Sequence, residues 1–264
     1  LLIIIKYLEI KYIIKMSSSN HKILKLKDKT DSNVIEKTNI DSVPFRMLLV
    51  GGTGSGKSNL LANMILRPEF YLNDFHADDI TIFTGSPGDA KIKIIQQQKS
   101  IEDSNIIEGF DSNILKTLYD LYVEEFNERT AQKKKPYQKL LIFDDLSYLK
   151  AFTNKDSRYV DKLFQNGRKY GISTIITSQK YKGQISMAQR ANFSSCILYN
   201  TANSQVEAFE SDVNYMKNKK SFFNMWNNVV IEKRDFLVVN HSNPIEDMYL
   251  NKDFIPINVK QYEI

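Results

Sequence analysis

Met47-Leu48-Leu49-Val50-Gly51-Gly52-Thr53-Gly54-Ser55-Gly56-Lys57-Ser58 is the stretch from which the fold is read. Its four leading apolar residues make a short buried strand. Glycines 51, 52, 54 and 56 follow within six positions, in a chain with only 10 glycines among 264 residues, so the cluster needs a local cause. Gly51 to Ser58 fits G-x-x-x-x-G-K-[ST], and Lys57 to Leu66 reads as a helix stopped before Pro68. Strand, glycine loop and helix are what a triphosphate requires. Backbone N–H groups must wrap phosphate, so side chains are absent and unusual φ values are tolerated. The helix adds free amides and the positive end of its dipole. Gly51, Gly52, Thr53, Gly54, Ser55, Gly56, Lys57 and Ser58 are therefore expected to bind ATP. Lys57 would place a charge on the β- and γ-phosphates, and the Ser58 hydroxyl would coordinate Mg²⁺.

Leu140-Leu141-Ile142-Phe143-Asp144-Asp145 is an apolar strand ending in two carboxylates. Ligands collect at the carboxyl ends of parallel strands, which puts the pair beside the phosphate loop. Asp144 is expected to hold the Mg²⁺ shell, usually through water, and Asp145 to polarise the attacking water. A second carboxylate directly after the metal-side one separates hydrolytic motors from small-molecule kinases and Ras-like switches. The plainer alternative is a strand ending in an Asx-type turn. A further strand, Ile172 to Ser178, ends at Gln179. Lying between the loop strand and the acidic strand, it would let Gln179 reach the γ-phosphate or the water; a solvated strand-end amide is the alternative. Arg168 follows the helix-ending Gly167 on a short connector. It could reach a neighbouring subunit's nucleotide as an arginine finger, a device that contributes about 10³–10⁵ in rate where dissected. Arg190 is the rival candidate, and for either the alternative is a surface arginine without a role.

The remaining pattern alternates strands with helices. Ile80–Phe83 reads as a second strand, closed by the turn Gly85-Ser86-Pro87-Gly88, and Cys196–Tyr199 and Phe236–Val239 as later strands. Residues 112–129 read as a helix with Leu115, Leu118, Tyr122 and Phe126 on one face. Another runs from about Ser157 to Gly167 with Val160, Leu163 and Phe164 inward, and a polar one from about Ser204 to Met216. The class is α/β, a mainly parallel sheet with helices on both faces. One extra strand between the loop strand and the acidic strand matches the additional-strand class of P-loop NTPases, with core order 5-1-4-3-2. Residues 1–42 read as a flexible lead-in, 43–243 as the ATPase domain and 244–264 as a C-terminal tail. Translation is expected to start at Met16, with residues 1–15 upstream of it; a short amphipathic anchoring helix is the alternative.

Composition narrows the class further. With 42% hydrophobic and 25% charged residues the chain is not disordered. One cysteine excludes a disulfide framework and a multi-cysteine zinc site, and three scattered histidines exclude a histidine-rich metal centre. A net charge of +5 permits a polyanionic partner. The apolar N-terminus is too short and too charged for a stable membrane span, so the chain reads as soluble and intracellular. Lys133-Lys134-Lys135 and Lys217-Asn218-Lys219-Lys220 could line DNA or be solvated loops. Phe222-Phe223-Asn224-Met225-Trp226 suits core or subunit interface better than base stacking.

Three stretches carry a resemblance: Pro44-Phe45-Arg46 through Asn59, Leu141 to Asp145, and above all Gly167-Arg168-Lys169-Tyr170-Gly171-Ile172-Ser173 running to Ser178-Gln179 and followed by Arg190-Ala191-Asn192. Over about residues 43–240 the chain resembles the FtsK–HerA superfamily of DNA-pumping ATPases. It is most similar to the genome-packaging ATPases of poxviruses, other large DNA viruses and virophages. The resemblance implies a homo-oligomeric ring, hexameric in the expected form, around double-stranded DNA held without sequence preference. The ring would drive DNA into a preformed capsid at a capsid vertex, in the virus factories of the host cytoplasm, with the virion as a second location. Lys57, Ser58, Asp144, Asp145 and Gln179 keep their roles under it. The family often has histidine where this chain has Lys169; that departure leaves the finger itself intact, and whether Arg168 or Arg190 acts in trans stays open. A chromosomal or conjugative pump of the same superfamily and a nucleotide-regulated interaction protein are the alternatives. No separate nuclease domain is visible, which argues against a terminase-type enzyme.

Overall fold

The computed structural model describes residues 33–146, Leu149 and residues 158–264. The expectations for residues 1–15 and for most of the lead-in lie outside the described residues. One sheet of eight strands organises the chain, in the order β3-β2-β4-β5-β1-β6-β7-β8. These are β1 (Arg46–Val50), β2 (Ile80–Thr84), β3 (Ile106–Glu108), β4 (Lys139–Asp144), β5 (Ile172–Ser178), β6 (Ser195–Tyr199), β7 (Phe236–Asn240) and β8 (Tyr249–Leu250). β1 to β6 run parallel, whereas β7 is antiparallel to β6 and β8 to β7, so the sheet is mixed. Numbered in chain order without β3, the middle strands β2-β4-β5-β1-β6 stand as 2-3-4-1-5.

The two-residue period of a strand sends alternate side chains to opposite faces, and both faces here are covered. From β1, Leu48 and Val50 enter one core while Met47 and Leu49 enter the other. β4 divides the same way, Leu141 and Phe143 against Leu140 and Ile142. On one side pack α1 (Lys57–Leu66), through Leu61, Met64 and Ile65, and α2 (Ala90–Lys99), through Ile92 and Ile95. On the other pack α3 (Ser112–Ala131), α4 (Arg158–Asn166), α6 (Asn203–Val213) and α7 (Lys219–Val229), with the short α5 (Met187–Asn192) lying between α4 and β6 in the chain. Each fully buried Leu, Ile or Phe stabilises this arrangement by roughly 1.5–3 kcal/mol.

Several expectations change. Two strands, not one, separate the loop strand from the acidic strand: β3 is a three-residue, half-exposed edge strand, too short to show a period. α2 was hidden by its lysines and glutamines; Asp89 caps it, accepting from the N–H groups of Lys91 at 2.7 Å and Ile92 at 3.4 Å. On α3, Tyr119 is buried and Leu118 only partly so. The polar helix α6 ends at Val213, and the following basic and aromatic run is α7, capped by Asn218, with Phe222, Met225 and Trp226 in the core. Part of the stretch read as flexible lead-in packs on the domain. Ile35 bridges Val43, and Ile40 and Asp41 are buried. Part of the stretch read as a tail supplies β8 to the sheet. In both, a few apolar anchors outweigh a polar composition.

Candidate functional site

Parallel pairing brings three strand ends together. Val50 at the end of β1 lies opposite Ser178 of β5, and Phe143 of β4 lies opposite Ile176 of β5. The phosphate loop starts where β1 stops, and the Gly51 N–H donates to Ser178 O at 3.0 Å. Only glycine fits at 51, because a Cβ there would stand 2.7 Å from both Ser55 Oγ and Tyr199 Cβ. Gly56, at the turn into α1, has φ 110°, which side chains resist. Lys57 Nζ donates to Gly51 O at 2.5 Å and Gly52 O at 3.4 Å, which folds the ammonium back over the loop. Burial pulls its pKa below the ordinary lysine value, opposed by the charges of Asp145 and Asp144. The loop borders a cavity of about 430 Å³, reached by Gly54, Ser55, Gly56, Lys57 and Ser58 together with Arg234 from the other end of the chain. Ser55 Oγ is buried without a hydrogen-bond partner among the described residues, a donor suited to a phosphate oxygen.

The acidic pair is joined through β5. Thr177 Oγ1 donates to Asp144 Oδ1 at 2.8 Å and accepts from the Asp145 N–H at 2.9 Å. Thr84 Oγ1, at the end of β2, donates to Asp144 Oδ2 at 3.4 Å. Burial raises the Asp144 pKa, assisted by the neighbouring Asp145 and Asp89 and opposed by the hydrogen bonds from Thr177 and Thr84. Asp145 itself has φ 49°, a left-handed conformation that costs a non-glycine residue about 1–2 kcal/mol. The turn aims its carboxylate at Gln179, whose Nε2 donates to Asp145 Oδ1 at 3.2 Å and Oδ2 at 3.4 Å. Phosphate loop, Asp144, Asp145 and Gln179 therefore meet at one end of the sheet, as the spacing suggested.

Arg168 is elsewhere. It lies on the 3-10 turn Gly167–Tyr170 before β5, at the end of the sheet opposite its own phosphate loop. It is exposed, and it borders a cavity of about 570 Å³ with Arg46, Ser194 and His241. Arg190 is engaged within the chain, in an ion pair with Asp212 at 2.8 Å and against the Tyr181 ring at 5.4 Å. Lys133, Lys134 and Lys135 are exposed before β4, also at the end away from the loop. Sequence reasoning missed Thr84, Thr177 and Arg234. For Thr177 the signal was weak: β5 carries four hydroxyl residues, Ser173, Thr174, Thr177 and Ser178, and only the register picks out Thr177. Arg234 had none, because only the return of β7 beside β6 brings it to the loop.

Residues 32–252 match the family model described as Poxvirus A32 protein. The chain belongs to the Poxvirus A32 protein family. The loop and acidic pair sit in a P-loop NTPase fold, in keeping with the resemblance to FtsK–HerA ATPases. Among curated protein sequences none matches the chain. Solved structures share the fold at low identity. EssC (ATPases 2 and 3) from Geobacillus thermodenitrificans is 14% identical with a TM-score of 0.57, over 82% of this chain and 40% of that one. The pCW3 conjugation coupling protein TcpA, solved as a monomer with ATPgS, is 17% identical with a TM-score of 0.52, over 84% and 68%. The genome packaging NTPase B204 from Sulfolobus turreted icosahedral virus 2 is 15% identical with a TM-score of 0.49, over 75% and 92%. This member of the Poxvirus A32 family thus spans well under half of the EssC chain. Among its described residues no helix is long and apolar enough to cross a membrane.

Proposed function

We propose that the chain is an ATP-driven translocase of double-stranded DNA that packages a viral genome into a preformed capsid. The observation that carries this reading is the held carboxylate of Asp145, next to Asp144 at the loop, in a member of the Poxvirus A32 family. Asp145 accepts the proton of the attacking water, and Gln179, bonded to it, couples the state of that water to β5. Lys57 and the loop amides hold the β- and γ-phosphates. Ser58 and Asp144 would hold Mg²⁺: the donors around the loop are oxygens, which suits this ion. Among the described residues no cluster of three or more His, Cys, Asp or Glu offers another metal a site. When bound, the ion neutralises charge on the phosphate oxygens.

The reading extends to assembly. Arg168 cannot serve its own nucleotide from the far end of the sheet and forms no ion pair among the described residues, which supports action in trans within a ring. Arg190, already paired with Asp212, is the weaker candidate. A hexameric ring around DNA at a capsid vertex, working in the host cytoplasm and carried in the virion, completes the proposal. A conjugative pump of the same superfamily is the second reading, favoured by the fold shared with TcpA.

The test is ATP hydrolysis with and without long duplex DNA across a salt series, for wild type, Lys57→Ala and Asp145→Asn. DNA should stimulate turnover, less so as salt screens phosphate contacts. Both substitutions should abolish it, with Asp145→Asn still binding ATP. Turnover indifferent to DNA at every salt concentration refutes the motor.

A further inference from the structure

The phosphate-loop cavity continues into a second one. A cavity of about 380 Å³ adjoins it, and the two share Ser55, Gly56, Asn59 and Arg234. A triphosphate seated on the loop must send its nucleoside out along one side, and this is the side with a built wall. Tyr199 forms the inner part: it is 2% exposed and lies against Gly56, where an added Cβ would be 3.7 Å from Tyr199 Cε1. Phe254 forms the outer part, from the turn after β8. Its ring, only partly buried, meets Phe70 at 5.2 Å and Phe236 at 6.0 Å, both in edge-type contacts.

The turn that presents Phe254 is locked. Phe254 has φ 59°, a conformation uncommon for an aromatic residue. Asn251 Oδ1 accepts from the N–H groups of Asp253 at 3.0 Å and Ile255 at 3.1 Å. The Phe254 N–H donates to Asn251 O at 2.9 Å, and the Asn251 N–H to Ile255 O at 3.0 Å. Lys252 is paired with Asp235 at 2.7 Å, which ties the turn to the loop carrying Arg234. Backbone strain held in place by its surroundings is characteristic of ligand clamps. Asn59 lies at the junction of the two cavities, and its carboxamide has no hydrogen-bond partner among the described residues.

We propose that the second cavity is the nucleoside subsite, with Phe254 as the platform for a purine base and Asn59 at the ribose. The proposal rests on the reading of the loop as an ATP site. A purine offers the larger π-face, and stacking of one base on an aromatic side chain is lost on substitution by alanine.

The experiment measures ATP hydrolysis and competition by inorganic tripolyphosphate, which has the phosphates but no nucleoside. Wild type first establishes Lys57-dependent ATP hydrolysis; if that fails, the ATP reading fails and the subsite with it. Phe254→Ala should raise KM for ATP about tenfold at nearly constant kcat, with the inhibition constant of tripolyphosphate unchanged. Phe254→Trp should keep KM near wild type, and its added fluorescence should be quenched by ATP but not by tripolyphosphate. Asn59→Ala should raise KM for ATP while sparing tripolyphosphate. With wild type active, an unchanged KM in Phe254→Ala overturns the proposal. An equal loss of ATP and tripolyphosphate binding also overturns it, because that marks a distorted loop rather than a lost platform.

Discussion

Replacing Thr177 by valine removes one hydroxyl at nearly constant shape. That hydroxyl donates to Asp144 at 2.8 Å and accepts from the Asp145 N–H at 2.9 Å, so two groups lose their partner together. A hydrogen bond to a charged group contributes about 1.5–3 kcal/mol and a neutral one about 0.5–1.5 kcal/mol, so the folded state should lose about 2–4 kcal/mol. The catalytic effect follows from Asp145. Its left-handed backbone is costly, and the bond to Thr177 holds it there. Without that bond the carboxylate shifts, and a misplacement of about 1 Å costs on the order of 10²-fold in rate. Thr177→Val should therefore lower kcat about 10- to 100-fold with KM for ATP nearly unchanged, since the loop is untouched. Removing a bond that lowers the Asp144 pKa should raise that pKa further. In its proposed role the Asp144 carboxylate must be ionised, so activity is lost as pH falls through its pKa and the acidic limb of the pH–rate profile should move to higher pH. Thr177→Ser should restore both. The assays are steady-state hydrolysis from pH 5 to 9 and denaturant unfolding. A raised KM at constant kcat, or an unmoved acidic limb, would refute the reasoning.

Asp41 offers a stability test remote from the site. Burial raises its pKa from 3.8 to about 6, opposed by the neighbouring hydroxyls of Ser195, Ser194 and Ser242, of which Ser194 donates to it at 2.8 Å, and by the charge of Arg46. Between about pH 4 and 6 the folded state keeps a proton that the unfolded state has released. Stability therefore falls as pH rises through that window, by at most about 3 kcal/mol, and stays lower above it. Asp41→Asn abolishes this dependence, so its unfolding free energy relative to wild type should climb from pH 4 to 6; a flat difference counts against the buried carboxylate. For Arg168, mixtures of Arg168→Ala with wild-type subunits should lose activity out of proportion to the variant fraction. A strictly proportional loss excludes action in trans.

The nucleotide end of the sheet was legible because its chemistry is local. Gly51 to Ser58 is contiguous, Asp144-Asp145 follow an apolar run, and Gln179 ends a run rich in β-branched residues. Elements without a clean period were not legible: β3 is too short, α2 is mostly lysine and glutamine, and α7 begins in a charge run. The aromatic run after it proved to be core, which the sequence allowed without choosing.

The amino-acid sequence by itself determined the phosphate loop, the acidic strand end, the alternating α/β pattern and the family resemblance. These are properties of short windows, where residue type and spacing carry the physics. Only the tertiary structure decided that Thr177 bridges the two aspartates, that Arg168 stands at the far end of the sheet while Arg190 is paired, and that Phe254 lines the cavity beside the loop. Each of these depends on residues far apart in the chain being brought together by strand register and by the return of β7 and β8. Register is set by how the whole sheet buries its two faces, and no window of sequence contains that.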